Sequence, residues 1–177
     1  SMMLFQTFDT LGVSRAWLLR LDETMPRPIA GTEGLQRAYW SPDSREIVFC
    51  ANGKMQRVAV SGGTPIIVCP APGGADLSWG ARGQILLDGK FTDSLRVVPA
   101  AGGELHPATR IDRAHAEIGT AWPHFLPDGR HFVFIGNTNT GGKGNIRLGK
   151  LGSLDSKLLG QSDGRVEYAP GGWLLFV

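Results

Sequence analysis

The chain has 177 residues, 42% of them hydrophobic and 19% charged, with 18 basic against 16 acidic residues and a net charge of +2. That balance belongs to a globular chain long enough for one sizeable core, and it excludes a disordered tail. No basic run is present to neutralise phosphates, so a nucleic-acid partner is not expected, and no apolar stretch of about 18 residues offers membrane insertion.

There are 25 Gly and 11 Pro, about a fifth of the 177 residues, against an ordinary share of roughly 12%. Short strands joined by many tight turns need such residues, and long helices do not. The first residues lack the charged, apolar and small-residue order of a signal peptide. Ser1-Met2 reads as what cleavage of an expression tag leaves.

In chain order, Met3–Phe8, Ser14–Asp22 and Arg27–Ala30 read as three strands, set apart by Asp9-Thr10-Leu11-Gly12 and by Pro26 and Pro28. A four-strand unit follows: Arg37–Trp40, Glu46–Cys50, Met55–Val60 and Thr64–Cys69, with Pro42-Asp43-Ser44 and Ser61-Gly62-Gly63 as turns and Pro70–Gly74 as closing loop. The next runs through Asp76–Trp79, Gln84–Asp88, Leu95–Ala100 and Glu104–Thr109, with Gly102-Gly103 repeating the Gly-Gly turn 40 residues after Gly62-Gly63. Arg110–Thr120 is the longest polar connection and reads as an exposed loop, with a helical turn as the alternative. A further unit takes Ala121–Phe125, His131–Ile135, Asn145–Lys150 and Lys157–Gly160, with Pro127-Asp128-Gly129 and Thr138–Gly144 as turns. Arg165–Tyr168 and Trp173–Val177 supply two more strands.

The stretch WSPDSREIVFC at Trp40–Cys50 returns as FLPDGRHFVFI at Phe125–Ile135, 85 residues on. The leading aromatics Trp40, Trp79, Phe125 and Tyr168 stand 39, 46 and 43 residues apart, close to the roughly 40–45-residue period of a propeller blade. The expected fold is therefore all-β: a β-propeller of about four four-stranded antiparallel blades, or a partial arc of a larger one. One domain, 1–177, is expected, with units at 3–31, 37–74, 76–110, 121–161 and 165–177. The strand at 165–168 is a candidate for the innermost place in the N-terminal unit, closing the ring. The apolar run Trp173–Val177 suggests instead a fragment of a longer propeller, or an arc whose open edges pair with a second copy as a homodimer.

The residues offer little chemistry. Cys50 and Cys69 each close an apolar run and read as small buried side chains, with a disulfide between neighbouring strands as the alternative. His115, Glu117 and His124 surround one loop and raise the question of a metal site. The plainer reading is that His124 and His131 flank the turn at Pro127-Asp128-Gly129 while His115 is solvated. Gly141-Gly142-Lys143-Gly144 lacks the spacing and context of a phosphate loop, and Ser61-Gly62-Gly63 lacks the order of a nucleophile elbow. Asp43 and Asp128 fall at equivalent turn positions, which suits a structural carboxylate accepting backbone N–H groups. Trp40, Trp79 and Trp122, with Phe125 and Tyr168, are expected to pack between blades. No catalytic residue, metal ligand or cofactor is expected.

WSPDSREIVF, FLPDGRHFVF, VAVSGGTP and VVPAAGGELHP resemble the TolB-type, WD-repeat-like propeller repeats of bacteria. PIAGTEG followed by WSPDS, AWPHFLPDGRHF and YAPGGWLLFV resembles the C-terminal propeller region of some bacterial serine/threonine protein kinases. The kinase part itself has no counterpart here: no Gly-rich phosphate loop, His-Arg-Asp loop or Asp-Phe-Gly is present. The resemblance implies a non-catalytic module for recognising a protein or ligand, lying in the cell envelope if the parent is a membrane-anchored kinase. A metal-dependent hydrolase or lactonase built on the propeller is the alternative, and a self-assembling fragment a third reading.

Overall fold

The structure is a computed structural model and describes all residues except 72–75, 91 and 140–141. Parts of the expected loop at 70–74 and of the expected turn at 138–144 therefore lie outside the described residues. The chain divides into two compact units, Ser1–Ala75 and Asp76–Val177.

In the first unit, β1 (Met2–Phe8), β2 (Ser14–Arg20) and β3 (Arg27–Pro28) form a three-stranded antiparallel sheet in chain order. A four-stranded meander follows, of β4 (Ala38–Trp40), β5 (Glu46–Ala51), β6 (Lys54–Ala59) and β7 (Ile66–Pro70). Strand β5 is buried on both faces because successive side chains point to opposite sides of a sheet. Ile47, Phe49 and Ala51 share a core with Ala16, Leu18 and Ile29 from the three-stranded sheet. Val48 and Cys50, also buried, take the opposite face. Covering both sides of a strand explains its unbroken apolar run.

The disulfide alternative fails on topology. Cys50 is in register with Met55, and Met55 with Cys69. The two cysteines sit on β5 and β7 with β6 between them, and both are buried and form no disulfide. Two strand spacings of about 4.8 Å exceed what a disulfide spans.

The second unit begins with β8 (Leu77–Trp79), β9 (Gln84–Leu87), β10 (Arg96–Pro99) and β11 (His106–Pro107), again a four-stranded meander. A 3-10 turn at Arg113–His115 leads into β12 (Glu117–Phe125), β13 (His131–Thr138), β14 (Gly144–Lys150) and β15 (Ser153–Ser162). Strand β13 repeats the logic of β5. Phe132 and Phe134 face a core shared with Leu86, Leu95 and Phe125, while Val133 and Ile135 face a second one with Ile146 and Val166. Burying each phenylalanine stabilises the unit by about 1.5–3 kcal/mol.

Two expectations are corrected here. The connection Arg110–Thr120 is not an exposed loop throughout: it holds the 3-10 turn, and Glu117 and Thr120 within it are buried. Strand β12 starts at Glu117 because that carboxylate finds partners inside, which polar composition could not reveal. The segment at 165–168 is not the closing strand of the N-terminal sheet. Its strand, β16 (Glu167–Ala169), pairs with β17 (Trp173–Leu175) in a sheet of two.

Successive antiparallel meanders of three or four strands, packed face to face within each unit, are the blades of a β-propeller, whole or partial. Among the described residues, no helix is long and apolar enough to cross a membrane.

Candidate functional site

Three hairpin turns share one closure. The Ser44 N–H donates to Ser41 O, the Gly83 N–H to Gly80 O and the Gly129 N–H to Leu126 O, at 2.9, 3.0 and 2.9 Å. The closing residue is left-handed each time, with φ of 58° at Ser44, 69° at Gly83 and 61° at Gly129. Pro42 and Pro127 hold the second position, where proline's fixed φ suits the turn.

The third position differs. Asp43 Oδ1 accepts the Ser41 hydroxyl at 2.7 Å and the Arg45 N–H at 3.1 Å. Asp128 Oδ1 accepts the N–H groups of Arg130 and His131 at 2.8 and 2.9 Å, and its Oδ2 lies 2.5 Å from His131 Nδ1. The side-chain bond from His131 holds the Asp128 carboxyl far below the usual carboxylate range, helped by the backbone N–H groups of His131 and Arg130. The Ser41 hydroxyl, then the Arg45 N–H, likewise lower Asp43. In the β8–β9 turn this place belongs to Arg82, which cannot accept such bonds. Its Nε donates outward instead, to the Asp128 carbonyl at 3.0 Å in the neighbouring turn.

That contact ties two turns together. A Cβ on Gly129 would sit 3.0 Å from Arg82 N and 3.1 Å from Arg82 Cγ, so the approach requires glycine. Beside it, a Cβ on Gly80 would lie 2.9 Å from the Phe125 ring. The joined turns border an open, shallow cleft of about 520 Å³ lined by Arg82, Gln84, Val97, Arg130, Leu151 and Gly152. The Leu151 N–H donates to Arg130 O at 2.9 Å, and Val97 and Leu151 pack onto the phenylalanine core beneath. The cleft thus offers two guanidinium groups and an amide above an apolar floor. Arg82, Gln84 and Arg130 were not singled out by sequence reasoning, although an arginine where the sister turns carry aspartate was a readable signal.

The other residues marked in the sequence do not converge on this cleft. Gly62 and Gly63, with φ of 98° and 135°, and Gly102 and Gly103, with 105° and 146°, form one repeated turn between third and fourth strands. Trp40 packs on the first unit's core, Trp79 is half-buried on β8, and Tyr168 is half-buried opposite Leu174. Phe125 meets Phe132 edge to face at 5.9 Å. Trp122 has φ of 52° at a bulge in β12 and packs near Val133 and Ile135.

A second cluster centres on three buried side chains, Arg147, Glu117 and Asn145. Arg147 Nε donates to Glu117 Oε1 at 2.7 Å and its Nη2 to Asp112 Oδ2 at 2.9 Å. Asn145 Nδ2 donates to Glu117 Oε1 at 3.1 Å, and the Asp112 N–H to Glu117 Oε2 at 3.1 Å. His115 is exposed, its Nδ1 2.8 Å from Asp112 Oδ2. These groups satisfy one another and join the 3-10 turn to β12 and β14, a structural arrangement. His124 lies on β12 away from them, and burial holds its imidazole below the usual range. Among the described residues, no three His, Cys, Asp or Glu side chains are grouped to hold a metal.

No family model matches the sequence, and no curated protein does. Solved structures match over most of the chain. A TolB from Acinetobacter baumannii aligns with a TM-score of 0.74 at 14% identity, over 97% of this chain and 44% of that one. A protein assigned as TolB in Agrobacterium tumefaciens aligns with a TM-score of 0.72 at 16% identity, over 91% and 61%. A nidogen/laminin complex follows at 0.67 and 10% identity, over 92% and 62%. Enzyme structures, a lyase and peptidases among them, are matched too. The likeness is one of fold, TolB-like and propeller-type, and this chain spans less than two thirds of those three structures.

Proposed function

We propose that this chain is a non-catalytic propeller module that recognises a protein or ligand through the turn end of its blades. It would serve as the sensor or docking part of a larger bacterial protein, such as the kinases whose C-terminal region its repeats resemble. The observation that carries this reading is the cleft of Arg82, Gln84 and Arg130. Its turns are locked together, so it is formed before any partner arrives, and pre-formed sites avoid the ordering cost of binding. Its volume of about 520 Å³ lies within the range of roughly 300–1,000 Å³ usual for ligand sites.

The test is selection of displayed random peptides on the immobilised protein, with Gln84→Trp as a variant whose indole fills the cleft. Peptides that bind the parent and lose binding to a folded Gln84→Trp variant support the reading. Enrichment of none, or of peptides indifferent to the substitution, speaks against it.

A second reading, self-association, is favoured by one feature of β17 and the residues after it. Trp173, Leu175, Phe176 and Val177 are 69%, 60%, 56% and 82% exposed, an apolar strand edge of the kind that pairs with another chain.

A further inference from the structure

The geometry points to the cleft of Arg82 and Arg130 as a clamp for the carboxylate side chain of an acidic peptide segment. This inference rests on the recognition reading above and names the chemistry of its partner.

Both turns release their arginines to solvent. Arg82 occupies the place where the sister turns spend an aspartate on their own backbone. Its Nε is committed to the Asp128 carbonyl, which fixes the plane of the guanidinium and leaves the two terminal nitrogens for a ligand. Arg130 is held through its backbone, its N–H donating to Asp128 Oδ1 and its carbonyl accepting the Leu151 N–H. Its guanidinium makes no hydrogen bond or ion pair among the described residues. A carboxylate matches the fork of an arginine with two parallel hydrogen bonds.

The charges around the cleft agree. Asp128, in the turn that Arg82 contacts, is already engaged by two backbone N–H groups and by His131. Its carboxylate keeps its charge but forms no ion pair with Arg82 or Arg130 among the described residues. Gln84 adds an amide that can donate to a second oxygen or to a peptide carbonyl.

The floor selects a peptide over a bare anion or a nucleic acid. Val97 and Leu151 line it, which suits an apolar residue beside the acidic one. The chain's 18 basic residues are balanced by 16 acidic ones, without the basic stripe that tracks a phosphate backbone.

The experiment titrates the folded protein with a fluorescein-labelled Gly-Leu-Glu-Glu-Leu-Gly peptide, followed by anisotropy. The arms are its Glu→Gln counterpart and the variants Arg82→Gln, Arg130→Gln and Gln84→Trp. The expected result is binding of the acidic peptide, weakened roughly tenfold by either arginine substitution and more by both. The glutamine peptide should bind no better than the double variant, and affinity should fall as salt rises. Acidic and glutamine peptides that bind alike, or acidic binding that survives the double substitution, overturn the clamp. Displacement of the peptide by millimolar inorganic phosphate, with no preference for acidic over glutamine peptide, also overturns it in favour of a phosphate site. If selected peptides are sensitive to Gln84→Trp yet indifferent to both arginines, the clamp falls while the recognition reading stands. If none is sensitive to Gln84→Trp, the recognition reading falls with it.

Discussion

Arg147 Nε lies 2.7 Å from Glu117 Oε1, with 2% and 1% of the two side chains exposed. Removing one member of such a pair leaves a charge in the interior without its counter-charge, at a cost of about 3–5 kcal/mol. Arg147→Met should therefore lower unfolding stability by that order, measured by urea denaturation. The double change Arg147→Met with Glu117→Gln should cost clearly less than the sum of the single changes, because the fully buried pair then holds no lone charge. Asp112, the other partner of Arg147, is partly exposed and keeps His115. Additive costs would show that the pair is not coupled. Gly136→Ala should mimic part of the loss, since its Cβ would fall 2.3 Å from the Glu117 carboxyl carbon.

The Asp128 turn predicts a pH dependence. Its folded-state pKa is depressed, first by the His131 side-chain bond, so the unfolded chain binds its proton more readily. The stabilisation is present above the unfolded carboxylate value, about 3.9, and is lost as pH falls below it toward the folded value. Asp128→Asn should be less stable than the parent at pH 7, and the gap should narrow between about pH 4 and pH 2. A gap that stays constant over that window would exclude the linkage.

The cysteines report on burial. Cys50 and Cys69 form no disulfide, and burial raises the Cys69 thiol pKa. A thiol reagent should modify neither at an appreciable rate in the native protein and both in denaturant. Rapid native labelling, or a disulfide found without oxidant, would contradict the β5–β6–β7 arrangement.

Self-association through β17 predicts a mass above the 19.0 kDa formula mass in light scattering, falling on dilution. Trp173→Ser with Phe176→Ser should return the protein to its formula mass, because exposed apolar area drives such contacts. An unchanged oligomer would place the contact elsewhere, and a monomer at all concentrations would exclude it.

The all-β class was legible in the amino-acid sequence alone. Turn residues act locally: proline sets φ, aspartate accepts nearby N–H groups, and glycine enters the left-handed region. The blade period could be read from Trp40 and Phe125 for the same reason, since each hairpin is a local event. The unbroken apolar runs Ile47–Ala51 and Phe132–Ile135 likewise read as strands, and the structure added that both of their faces are covered.

Only the tertiary structure decided the rest. Arg82 became a cleft residue when its turn met Gly129, 47 positions away in sequence, and no local pattern carries that contact. Glu117 reads as loop by composition and is instead buried, because Arg147 and Asn145 arrive from another strand to satisfy it. Cys50 and Cys69 are parted by β6 through register. Long-range partners set burial and charge compensation, and those in turn set which polar residues are structural and which remain for a ligand.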